Sequence, residues 1–121
     1  MLIGILLCLV ATVRADHITG GEMSYRYVGT SGGNHTYQVT LKLLMRCNSG
    51  RQFPNPIRIS IFDKGTNSRL QDLSVTMGGQ TNISLDNTDP CISNPPMVCY
   101  EVASYFFDVV VPQNAAGYYV T

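Results

Sequence analysis

The sequence predicts an all-β protein, an antiparallel Ig-like β-sandwich, on three observations. Apolar side chains recur at every second residue through several short runs, which is the period of an extended strand and not of a helix. Clusters of Gly, Pro, Asn and Asp separate those runs at near-regular intervals, as turns between sandwich strands do. Only 13% of the residues are charged against 45% hydrophobic, a balance that suits a β-rich extracellular domain better than a helical one. At 121 residues the chain makes one domain and can bury roughly two thirds of its unfolded surface.

Residues 1–15 read as a signal peptide. Leu2 to Val13 is an apolar run, too short for the roughly twenty residues that span a bilayer, and Val13-Arg14-Ala15 supplies a small-residue cleavage pattern before Asp16. The module proper is then 16–121. Removing Arg14 leaves seven bases against eight acids, a net charge of −1. The arginines are scattered and no basic run exists, which argues against a nucleic-acid partner.

The mature chain opens with the most strongly patterned stretch. Met23, Tyr25 and Tyr27 alternate with Ser24 and Arg26, and Tyr37, Val39, Leu41, Leu43 and Met45 alternate with polar neighbours except Leu44. Gly29 to Asn34 lies between and lets the chain reverse, so the two arms predict a hairpin with an apolar face that a second sheet must cover. Tyr25, Tyr27, Tyr37 and Tyr105 are assigned to core faces.

Cys47 to Pro56 is a loop, since its prolines cannot donate to a ladder. Ile57, Ile59 and Ile61 make a third strand ending at Phe62-Asp63, Lys64 to Asn67 a turn, and Leu70, Leu73 and Val75 a fourth strand. Met77-Gly-Gly-Gln80 is expected to break the chain before a short fifth strand, Thr81 to Leu85. Asp86 to Cys99 is a long loop holding three of the six prolines. Tyr100 to Val111 is a strand apolar on both faces, with Phe106 and Val110 opposite Tyr105, Phe107, Val109 and Val111. It is therefore expected to be buried on both sides. After the Pro112–Gly117 turn, Tyr118 to Thr121 begins a strand in which the sequence stops, so the sandwich is expected to be truncated before its last strand.

Three cysteines follow the signal peptide, and in an exported chain cysteines are normally paired. The favoured pair is Cys91–Cys99, which closes about nine residues and stabilises by roughly 2.5 kcal/mol through chain entropy. Cys47 with Cys91 or with Cys99 is the alternative.

No catalytic residue is expected. His17 and Glu22 are an odd number apart and point to opposite faces of a strand, so with Asp16 they do not form a metal site. Asp86 and Asp89 are weak calcium candidates in a loop without the twelve-residue calcium pattern. No Gly-x-Ser-x-Gly or comparable hydrolase signature occurs, and no cofactor is implied. Tyr100, Tyr118 and Tyr119 are left as surface candidates for ligand stacking. Asn34-His-Thr36 and Asn82-Ile-Ser84 match glycosylation sequons and are read as exposed turns.

The block Asp16-His-Ile-Thr-Gly-Gly-Glu-Met-Ser-Tyr25, then Tyr37-Gln-Val-Thr-Leu-Lys-Leu43 and Cys47, resembles the N-terminal module of large surface proteins of gliding Bacteroidota. Asp89-Pro-Cys-Ile-Ser-Asn-Pro-Pro96 with Val98-Cys99, and Pro112 to Tyr119, are similar to the same family. Such proteins carry arrays of PKD or Ig-like sandwiches and a gliding-motility-associated C-terminal sorting domain. The resemblance implies type IX export, display at the cell surface and an adhesive or scaffolding role. It also implies partners in other domains of the same parent chain and in surface glycans or proteins. Two departures stand out: Met45-Arg46 precedes Cys47 where relatives carry an acid, and the Cys-containing strand that follows Gly-Tyr-Tyr in relatives is absent. The resemblance therefore implies a fragment whose Cys47 is parted from its partner.

Overall fold

A computed structural model describes residues 18–85, 91, 93–94 and 98–121. The stretch expected to be a signal peptide, with Asp16, His17, Asp86 and Asp89, lies outside the described residues. Seven strands and no helix are present among the described residues: β1 (Ile18–Ser31), β2 (Asn34–Arg46), β3 (Ile57–Asp63), β4 (Arg69–Val75), β5 (Met77–Leu85), β6 (Val98–Pro112) and β7 (Tyr118–Val120). They form two antiparallel sheets, one ordered β1-β2-β6-β5 and the other β4-β3-β7. The expected β-sandwich is therefore the fold. Its order matches the A-B-E-D and C′-C-F strands of an immunoglobulin sandwich. The place that strand G takes in that topology, beside β7, holds no strand among the described residues.

The β1–β2 hairpin turns on two residues alone. Gly32 and Gly33 both have positive φ, 57° and 79°, as a tight turn matched to the right-handed strand twist requires. Asp63 organises the next hairpin. Its Oδ1 accepts from the Gly65 and Thr66 amides at 2.7 and 3.0 Å, and its backbone carbonyl accepts from the Asn67 amide at 2.8 Å. Its Oδ2 accepts from Asn114 Nδ2 at 2.7 Å, tying this turn to the β6–β7 connection.

The core lies between β2 and β6 on one side and β3 on the other. Leu41, Met45, Phe53, Ile59, Val75, Ala103 and Tyr105 form its larger part, and Val39, Ile61, Val109 and Val111 continue it towards β7. Each fully buried aliphatic or aromatic side chain stabilises by about 1.5–3 kcal/mol. Tyr105 is fully buried and its hydroxyl donates to the Pro54 carbonyl at 2.7 Å. The 47–56 loop is thus held into the core at Phe53 and Pro54. Asn55 Oδ1 anchors it again by accepting from the Met77 amide at 3.0 Å.

Four expectations are corrected. First, β5 begins at Met77, so the Gly-Gly pair does not break the strand. Gly78 lies under the Phe106 ring, where a Cβ would sit 2.6 Å from Cδ2, and a bulge between Met77 and Gly79 absorbs the irregularity. Second, β6 is not buried along both faces: on the side away from the core Val102 is buried, but Phe106 is 60% and Val110 50% exposed, because no second layer among the described residues covers that side of the four-stranded sheet. Third, Met23, Tyr25 and Tyr27 are not core; Tyr25 is 75% exposed. They point to the side the second sheet occupies, but β1 is the edge of its sheet and the opposing sheet is narrower by one strand. Fourth, the disulfide is Cys47–Cys99 and not Cys91–Cys99. Register explains it: Arg46 faces Tyr100 across β2 and β6, which sets Cys47 opposite Cys99 with Cα atoms 5.5 Å apart. The Cys47 amide also donates to the Cys99 carbonyl at 3.2 Å.

Candidate functional site

The uncovered side of the β1–β2 hairpin is the most distinctive surface of the molecule. β1 and β2 pair with Tyr25 opposite Val39 and Tyr27 opposite Tyr37, so period-two alternation carries all three tyrosines to one face. Tyr27 and Tyr37 meet with ring centroids 5.6 Å apart, and Tyr25 meets Tyr37 edge-on at 6.0 Å. His35 joins the row, edge-on to Tyr27 at 5.7 Å. Thr30 links the two: its hydroxyl hydrogen-bonds Tyr27 Oη and lies 2.7 Å from His35 Nδ1.

Between this row and β7 runs an open groove of about 500 Å³. Met23, Tyr25, His35 and Tyr37 form one wall and Tyr118 the other, while Val39, Ile61, Val109 and Val111 of the core make its floor. Among the described residues no Asp, Glu, Lys or Arg lines it. The groove is the open end of the core, so its chemistry is apolar contact with a fringe of phenol hydroxyls.

The three tyrosines singled out as ligand candidates are not brought together. Tyr100 lies on β6 between Arg46 and Ile83, half-buried, on the side of the sheet turned away from Tyr105. Tyr118 and Tyr119 are neighbours on β7 and so point to opposite faces. Tyr119 is stacked on Phe62, ring centroids 5.0 Å apart and planes 3° from parallel. The Tyr118 hydroxyl donates to the Pro112 carbonyl, six residues upstream at the start of the β6–β7 connection. That is the tyrosine-corner arrangement of immunoglobulin sandwiches, a structural duty for a residue expected to meet ligand.

The residues that do form the platform, Tyr25, Tyr27 and Tyr37, carry a sequence signal that leads the other way. Alternation identifies their face and says nothing of how wide the covering sheet is. A second hollow of about 480 Å³ lies on the outer face between Gln38, Thr40, Phe106 and Asp108. Gln38 is already committed there as acceptor for the Arg26 guanidinium.

Among the described residues no group of three or more His, Cys, Asp or Glu is placed to hold a metal. No protein-family model, curated protein or solved structure matches this chain.

Proposed function

We propose that this chain is a non-catalytic extracellular β-sandwich module, displayed on the cell surface within a longer adhesin-like protein of the kind found in gliding Bacteroidota. The observation that carries the reading is the uncharged aromatic hairpin face lying open beside the free edge of β7. A face of this kind acts by contact, with a rigid two-sheet body behind it, and its hydrogen-bonded Tyr27, Thr30 and His35 side chains sit beside the hairpin turn. The Cys47–Cys99 bond is in keeping with export to an oxidising compartment. In this proposal the nearest partner is the parent chain itself. A further strand of that chain on the β7 edge, about 4.8 Å away, would lie over Tyr25 and Tyr37 and close the groove.

A second reading is a carbohydrate-binding module, favoured by the tyrosine row, since sugar rings stack on exposed aromatic faces. Here the stacking residues are Tyr25, Tyr27 and Tyr37 in place of Tyr100 and Tyr119. A glycan array, run with and without chelator, separates the two. The display reading expects no saturable binding; saturable binding lost in the Tyr25→Ala variant would replace it with the second reading. Intact mass of the exported protein tests the compartment: a chain starting at Asp16 with one disulfide is expected, and a fully reduced chain keeping Met1 would remove the surface assignment.

A further inference from the structure

We propose that the free edge of β1 pairs with β1 of a second copy of this chain, antiparallel about a two-fold axis at Ser24. This goes beyond the display reading and does not depend on the route of export. β1 is 14 residues long and no strand lies on its outer edge among the described residues. Natural edges are usually guarded by prolines, bulges or inward charges. β1 has no proline, and its register shifts fall between Ile18 and Gly20 and between Tyr27 and Gly29. The run between these bulges is regular, so half of its backbone N–H and C=O groups face outward in strand geometry.

The side chains select the register. A two-fold axis perpendicular to the sheet brings like faces together, so a residue meets its own copy at the centre. Centring on Ser24 pairs Glu22 with Arg26 twice and Met23 with Tyr25 twice, and spans Gly21 to Tyr27 within the bulge-free run. Centring on Glu22 or Arg26 would oppose two like charges, and centring on Met23 or Tyr25 leaves both charges without a counter-ion. Glu22 lies 3.2 Å from Lys42, so the paired strands would carry an alternating Lys42, Glu22, Arg26 row across the junction. On the other face Met23, Tyr25 and Tyr27 of both copies, now 43–75% exposed, would cover one another in cross-strand pairs.

Charge reversal tests this, with sedimentation velocity as the readout. The exported chain is expected to dimerise in a concentration-dependent way. Glu22→Arg and Arg26→Glu alone each set like charges opposite one another twice, and each should weaken the dimer by roughly tenfold or more. Mixing the two variants restores both attractions, so a heterodimer of wild-type affinity is the expected result. Both sites are exposed, and circular dichroism melts of each variant separate a weakened contact from a lost fold. Ser24→Cys should cross-link copy to copy on oxidation, whereas Ser31→Cys, far from the axis, should not. A chain that stays monomeric, or a dimer indifferent to both reversals, would overturn the proposal, the latter outcome pointing to the β7 edge.

Discussion

Removing the Cys47–Cys99 bond should cost this small domain a large share of its stability. The two residues are 52 apart in sequence, and closing a loop of that size in the unfolded chain is worth about 4 kcal/mol by chain entropy. A Cys91–Cys99 bond would be worth only roughly 2.5 kcal/mol, because its loop is about nine residues. Typical domains have about 5–15 kcal/mol in all, so the larger figure is readily seen in guanidinium titrations. In Cys47→Ser the β2–β6 ladder still holds the two strands together, and the far-ultraviolet spectrum should be unchanged while the midpoint falls. The effect acts on the unfolded ensemble, so lowering the stability by reduction alone should reproduce it. A Cys47→Ser variant as stable as the wild type, with a Cys91–Cys99 peptide in the oxidised digest, would refute the register argument.

Other consequences follow from single side chains. Tyr118→Phe removes the corner hydrogen bond and should cost about 0.5–1.5 kcal/mol, a fall of several degrees in Tm by calorimetry. Asp63→Ala strips acceptors from two turn amides and from Asn114 and should cost about 2 kcal/mol in urea unfolding, with proteolysis appearing first in the 64–68 turn. Tyr25→Ser should change stability by no more than about 0.5 kcal/mol, whereas Ile61→Ala, fully buried, should cost about 2–5 kcal/mol. Burial raises the Tyr105 phenol above its ordinary value of 10.0. The unfolded chain therefore loses that proton first. The associated stability is complete below pH 10 and declines as pH climbs through the folded value, so Tyr105→Phe should flatten the alkaline limb of a stability–pH curve.

Strand identity was legible wherever a side-chain period met a turn signal. Ile57 to Asp63, Arg69 to Val75 and the long hairpin appear where alternation placed them. Alternation is a local property, however, and burial is decided by what lies across the gap. Tyr25 and Val39 share a face and a register, yet one is open and the other buried, because the opposing sheet ends between them. Phe53 shows the converse: it sits in an aperiodic, proline-rich loop and is nonetheless core. The disulfide was hidden for a similar reason. Loop closure favours neighbours in sequence, while the β2–β6 register, a property of sheet order, aligns two cysteines far apart. The aromatic surface was missed through the same step, since every one of its tyrosines satisfied the pattern of a buried residue.

The bond between β2 and β6 also governs how this domain answers to tension. For a protein stretched from its two ends, Cys47 and Cys99 form a covalent shunt, and everything between them leaves the load path. Some 52 residues, about 180 Å of extensible chain, stay slack while force passes through the β1–β2 hairpin and the C-terminal part of β6. β3, β4 and β5, wholly inside the shielded loop, would be unloaded, while β7, between β6 and the pulled C-terminal end, stays in the load path. Reduction would release that hidden length in one step, turning a short, stiff tether into a long, compliant one.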